Sequence, residues 1–179
     1  MKILKAFLIV IIGIIVLAMV AALFISKDYA VEREVTINKP KQEVFDYIKL
    51  LKNQDHYSIF NQLDPAMKKT YHGIDGTVGF VYAWDSEKKE AGKGEQEISK
   101  ITEGERIDML LRFKEPFEAN DNAYMTTEAV SDSLTKVKWG FSGHMNYPMN
   151  LMPVLMNMEK SLGKALQDGL NNLKTTLEK

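Results

Sequence analysis

The chain has 179 residues, a formal net charge of −1, no cysteine and 45% hydrophobic residues. This length allows one ordinary domain with its own core besides a terminal segment. The missing cysteine excludes a disulfide framework, a thiolate metal site, a cysteine nucleophile and a lipidated cysteine.

The near-neutral mean hydropathy of −0.21 hides an uneven distribution. Residues 6–25 carry no charge and are interrupted only by Gly13. At ~1.5 Å per residue such a run spans roughly 30 Å, the thickness of a hydrocarbon core. In lipid only a helix satisfies its own backbone, so the run is predicted helical despite its β-branched residues. Lys2 and Lys5 precede it, whereas Lys27 is followed at once by Asp28. The positive-inside rule then puts the N-terminus in the cytoplasm and the rest across the membrane. Val20, Ala21 and Ala22 would suit a signal peptidase, but the apolar run continues through Leu23, Phe24 and Ile25, past the ~7–15 residues usual for a cleaved signal. The expectation is a retained transmembrane anchor over 1–27, a short linker over 28–30 and a soluble domain over 31–179. The expected location is the inner (cell) membrane of a bacterium, with the domain on the extracytoplasmic side. Because the anchor region takes a surplus of lysine, the remainder is mildly acidic. That balance argues against nucleic acid or anionic headgroups as main partners.

After the anchor, Val31 to Ile37 alternates as a strand. Pro40 opens a helix, with Val44, Phe45 and Ile48 at helical spacing. Leu51 to Lys69 is polar and predicts a second short helix and a loop. Val78 to Trp84 reads as a strand with Phe80, Tyr82 and Trp84 on one face, followed by a charged hairpin loop from Asp85 to Gly92. Strands are predicted over Glu95–Ile101 and Arg106–Phe113, the latter with Ile107, Met109, Leu111 and Phe113 inward. Two more cover Ala123–Val130 and Thr135–Gly143, the latter with Val137, Trp139 and Phe141 on one face. Leu151, Leu155, Met158, Leu162, Leu166, Leu170, Leu173 and Leu177 form one apolar stripe on a predicted terminal helix of about 27 residues. The order is therefore strand, two short helices, about six strands and one long helix. Successive strands with short turns pair antiparallel, and helices gathered on one face make an α+β domain.

This order resembles the START-like, Bet v 1-like (SRPBCC) superfamily, in particular its polyketide cyclase/dehydrase and lipid-transport branch. The stretches that carry the resemblance are Thr36–Pro40 leading into Val44–Ile48, then Gly92–Ile101, Glu103–Ile107, Phe113–Pro116 and Gly169–Lys174. They are spread over nearly all of 31–179. Asn53 to Tyr57 departs from the pattern, since relatives often have a tryptophan-containing motif there. The resemblance implies a helix-grip fold, a curved antiparallel sheet wrapped around the C-terminal helix and enclosing a cavity. Members of the superfamily bind sterols, phospholipids, polyketides or plant hormones, and a few catalyse, so fold alone does not give function.

The chain shows no metal-ligand spacing: His56, His72 and His144 are isolated. It has no glycine-rich phosphate loop and no nucleophile motif. No cofactor or catalytic residue is expected, and an apolar pocket with a few orienting polar groups fits this pattern. Tyr82 and Trp84 either line such a cavity or pack the sheet, and the same choice applies to Trp139 and Phe141. Arg112 is either solvated or grips a ligand carboxylate. Met152 and Met156 belong to a methionine group with Met145, Met149 and Met158; these either repack around apolar ligands or fill an irregular core. Asn146, Tyr147 and Pro148 form a hinge ahead of the terminal helix. The leading expectation is a membrane-tethered domain holding a hydrophobic small molecule or lipid. One alternative is a cyclase/dehydrase-like enzyme moving protons with Glu95 and Glu97 or with His144. The other is a structural or regulatory domain with a filled cavity that contacts a partner.

Overall fold

The computed structural model describes residues 2–179. Met1 and the side chain of Lys2, one of the charges flanking the anchor, lie outside the described residues. Helix α1 (Lys2–Ala22) precedes β1 (Asp28–Ile37) and α2 (Lys41–Lys49). A 3-10 turn (Leu51–Asn53) and the short helices α3 (Gln54–Tyr57) and α4 (Ile59–Gln62) lead to β2 (Lys68–His72) and β3 (Val81–Asp85). Four longer strands follow: β4 (Lys93–Thr102), β5 (Arg106–Glu115), β6 (Ala119–Ser131) and β7 (Leu134–His144). A second 3-10 turn (Met149–Leu151), α5 (Met152–Leu155) and α6 (Met158–Leu177) close the chain.

Helix α1 has the length and apolarity of a membrane span over Ile3–Ala22. Helix α2 starts behind Pro40, whose fixed φ suits a helix start, and buries Val44, Phe45 and Ile48 on one face. The seven strands form one antiparallel sheet in the order β1-β7-β6-β5-β4-β3-β2. Register shifts between Lys93 and Gly94, Ile98 and Lys100, and Ala129 and Ser131 mark bulges. Bulges bend strands, and here the sheet curves around α6. The inner face presents Ile98, Ile107, Met109, Met125, Val137 and Trp139 to Leu166, Leu170 and Leu173 of α6. Helix α6 lies along β1: its first turn reaches Arg33 through Glu159, and its last turns reach Thr36 and Asn38 through Lys174 and Glu178.

Three expectations from sequence change. Residues 28–30, expected as linker, are already strand, because Asp28, Tyr29 and Ala30 pair with His144, Gly143 and Ser142. Strand β2 lies at the end of a stretch read as helix and loop. It is an edge strand without apolar alternation, held where Tyr71 stacks on Tyr82 at 5.5 Å. The terminal stripe is not one helix. Asn157 takes the left-handed conformation, φ 48°, and separates α5 from α6. Asparagine tolerates that region better than most residues, so the break falls at the cheapest position in the segment. Leu151 and Leu155 therefore leave the stripe, and Leu155 is 73% exposed.

Candidate functional site

Between α6 and the sheet, most of the volume is occupied by side chains. Tyr57, fully buried, meets Trp139 edge to face at 5.7 Å and donates its hydroxyl to Met125 Sδ at 3.5 Å. Burial pushes the Tyr57 phenol well above its usual range. Gly169 has no side chain because Trp139 fills the space a Cβ would need. Gln96 Nε2 lies 2.7 Å from Met109 Sδ, and the buried Gln54 amide approaches the same sulfur. These residues occupy the centre of the grip.

The residues singled out from sequence separate into three places. Tyr82 and Trp139 are core; the Tyr82 hydroxyl accepts from Asn61 at 3.2 Å. Trp84 packs on Phe113, and its indole N–H donates to Ala91 O at 3.0 Å, so main chain already takes the polar group a ligand would need. Arg112 lies on the opposite face from Met109 and Leu111. It binds Glu95 at 3.0 Å and Glu97 at 2.5 Å, and this pairing raises its pKa. The physical reason is register: Glu95 faces Arg112 across the β4–β5 ladder, so acid and base project to the same outer face. Glu95 and Glu97 are thereby a paired outer-face cluster. His144 is exposed at the end of β7, where it meets Asp28 at 2.6 Å and Asn146 at 3.2 Å; those two contacts raise its pKa. Phe141, Met152 and Met156 gather instead at the end of the domain next to α1. Phe141 stacks on Tyr29 at 6.2 Å, Met152 is half-buried and Met156 is 67% exposed.

The end of the domain next to α1 contains two open hollows. One, of about 270 Å³, opens between β1 and the α5–α6 junction and is lined by Tyr29, Ala30, Val31, Pro153, Val154 and Met158, among others. The other, of about 410 Å³, lies between β5 and β6 and is lined by Leu110, Leu111, Arg112, Asn120, Asp121 and Asn122, so the paired Arg112 also borders a hollow. Tyr29 lines the first and Asp121 the second, and the Tyr29 hydroxyl donates to Asp121 Oδ1 at 3.1 Å. This hydrogen bond links a wall residue of one hollow to a wall residue of the other. Gly143 lies against it, and a side chain there would strike both Asp121 and Tyr29. Asp121 is only 5% exposed, and no salt bridge reaches it among the described residues. Burial raises its pKa, opposed by the Tyr29 hydrogen bond; burial and the facing carboxylate push the Tyr29 phenol upward. A carboxyl group in this setting can take a hydrogen bond from an amine or hydroxyl, or donate one when protonated.

Tyr29 and Asp121 escaped the sequence reading because each fell just outside a predicted strand: β1 was started at Val31 and β6 at Ala123. The signal was present. Asp121, Ala123, Met125 and Thr127 alternate inward, which puts one acid on an otherwise apolar row.

The same end is fixed to α1. Asn150, 1% exposed, donates one amide hydrogen to Ala22 O, the last carbonyl of that helix, at 2.7 Å and the other to Ile25 O in the turn that follows it at 2.8 Å. Carbonyls at a helix C-terminus have no partners within the helix, so Asn150 caps α1 from far along the chain. Its own Oδ1 is buried without a partner. Met145 N donates to Lys27 O at 2.8 Å, extending the β1–β7 ladder to the foot of the helix.

No protein-family model matches the sequence, and no curated protein matches it. Solved structures do. Norcoclaurine synthase from Thalictrum flavum, in complex with dopamine and hydroxybenzaldehyde, superposes with a TM-score of 0.61 at 12% identity over 84% of this chain and 87% of its own. A structural-genomics protein from Nitrosospira multiformis gives 0.57 at 16% identity, over 82% of this chain and 94% of that one. A protein from Chromobacterium violaceum gives 0.58 at 13%, covering 84% and 97%. The chain has the Bet v 1-like helix-grip fold. At these identities the likeness is one of architecture, and the chemistry of the helix-grip domain rests on its own residues.

Proposed function

We propose that the helix-grip domain, tethered to a membrane by α1, binds one hydrophobic small molecule or lipid at its anchor end. The observation that carries this reading is the apolar hollow of about 270 Å³ between β1 and the α5–α6 junction. Drug-sized sites run from about 300 Å³ upward, so this one suits a single acyl chain or a small ring system. Phe141 and Tyr29 supply aromatic surface beside it. The Tyr29–Asp121 pair supplies the polar group that orients an amine, hydroxyl or carbonyl on the ligand. The complex of norcoclaurine synthase with dopamine and hydroxybenzaldehyde supports the reading, since a protein of similar fold holds small aromatic molecules. The anchor belongs to the bacterial cell membrane, with the domain on the extracytoplasmic side.

Asp121 also favours a second reading, proton transfer to or from a bound substrate. A buried carboxyl facing a hollow is a better acid or base than Glu95, Glu97 or His144, which lie on the outer face or the exposed rim.

Native mass spectrometry of the full-length protein released from lipid nanodiscs tests the proposal. The wild type should carry an apolar adduct or take up a fluorescent fatty acid, and Val154→Trp, which narrows the hollow from an exposed position, should lose it. Wild-type protein that is empty and takes up nothing would overturn the binding reading. For the second reading, Asp121→Asn should retain the adduct but leave it chemically unchanged, whereas identical adducts in variant and wild type would count against proton transfer.

A further inference from the structure

The fourteen residues from Met145 to Met158 contain no charged side chain. In a domain whose surface is otherwise densely charged, this segment leaves Met149, Val154, Leu155 and Met156 more than half exposed. Such a run exposed to water is costly, because each large apolar side chain left out forfeits the gain of its burial. Its position identifies what covers it. Asn150, in the middle of the segment, holds the last carbonyl of α1 and that of Ile25 in the turn after it. Leu155 is five residues further on, under about 10 Å of helical path. Leu23 and Phe24, which follow α1, are also exposed, Phe24 to 86%. The exposed apolar groups of α5 and of the end of α1 therefore form one continuous surface at a single level of the molecule. Where α1 meets its bilayer, that level is the interface.

We infer that the 3-10 turn and α5, residues Met149–Met156, lie in the interfacial layer of the bilayer that α1 spans, with Val154, Leu155 and Met156 among the acyl chains. The occupant of this surface is lipid. A short uncharged segment with methionine, valine and leucine suits the headgroup–acyl boundary, where buried apolar area rather than charge supplies the binding. The segment from Met145 to Met158 carries no charge of its own, so insertion should not depend on anionic lipid. Because Pro153, Val154 and Met158 also form one wall of the 270 Å³ hollow, insertion puts the mouth of that hollow against the acyl chains. An apolar molecule then passes between bilayer and domain without crossing water. The left-handed break at Asn157 lets α5 lie in the membrane plane independently of α6.

The inference rests on the reading of α1 as an anchor, and the experiment separates the two. The chain has no cysteine, so single cysteines can be placed without background. Full-length Ile12→Cys, Leu155→Cys and Thr175→Cys proteins, each spin-labelled, are reconstituted in neutral phosphatidylcholine vesicles. Collision with oxygen is then compared with collision with a water-soluble nickel chelate. All three side chains are exposed, so the substitutions leave the core intact. The expected result is oxygen-favoured collision at positions 12 and 155, with the label at 155 roughly 5–10 Å below the phosphates, and nickel-favoured collision at 175. Nickel-favoured collision at 155 with oxygen-favoured collision at 12 overturns the insertion and leaves the anchor standing. Nickel-favoured collision at 12 overturns the anchor, and the insertion with it.

Discussion

Helix α6 runs through two environments that differ in what they do with apolar residues. Toward its C-terminus, Leu166, Leu170 and Leu173 are buried against Tyr57, Trp139 and the inner face of the sheet. At its N-terminus Met158 is only half-buried beside a hollow, and α5 beyond it exposes Val154 and Leu155. The far half spends its apolar residues on a core. The end next to α1 leaves them outside and instead buries an acid, Asp121, whose partner Tyr29 is neutral. Local choices that oppose stability, concentrated in one region, are the usual mark of a site shaped by function.

The comparison can be broken most directly with truncations. Trp139→Ala should cost about 3–5 kcal/mol in chemical denaturation, as large-to-small core changes do. Leu155→Ala in detergent should stay within about 0.5 kcal/mol of wild type, as exposed positions do. Equal costs would mean that α5 belongs to the core. Asn150→Ala strips the cap from α1 and should weaken the junction by about 1–2 kcal/mol. Tryptic cleavage after Lys27 in nanodiscs would then speed up by about tenfold, and unchanged cleavage would show that the cap does not hold the domain to the helix.

Asp121→Asn has the opposite sign. The folded pKa of Asp121 is raised, so its contribution is favourable below the unfolded value of ~3.9 and is lost as pH rises through the folded value. At neutral pH the ionised form is penalised by burial. An asparagine keeps the acceptor for Tyr29 without the charge and should be more stable than wild type at pH 7, the gain shrinking toward pH 4; thermal melts that show no gain at pH 7 would mean that the buried charge carries no penalty. The smallest effect concerns His144. Its raised pKa makes its pairing with Asp28 fully effective below ~6.5 and progressively lost as pH climbs past the folded value. In an NMR titration Asp28→Asn should return His144 toward its ordinary pKa; no change would assign the shift to Asn146 instead.

Much of the fold was legible because binary patterning is a local property. Val44, Phe45 and Ile48 reported α2, and the alternation through Val137, Trp139 and Phe141 reported β7. Strand β2 was not legible, since an edge strand made of Lys68, Lys69, Thr70, Tyr71 and His72 has little apolar pattern to read. The site was less legible than the fold. Tyr29 and Asp121 sit at strand ends, where pairing across the sheet sets the boundary and local pattern does not. Arg112 shows the converse: its alternation was correctly opposite Met109, but its neighbours Glu95 and Glu97 are supplied by another strand.

By itself the sequence determined the apolar helix, the α+β order and the residues competent to form a core, because hydrophobic period and charge exclusion act within a window of a few turns. Only the tertiary structure decided that Asn157 ends one helix and frees another, that Asn150 caps α1 from far along the chain, and that Tyr29 meets Asp121. The last two outcomes depend on contacts between positions about 90 or more residues apart, which strand pairing and chain closure alone bring together.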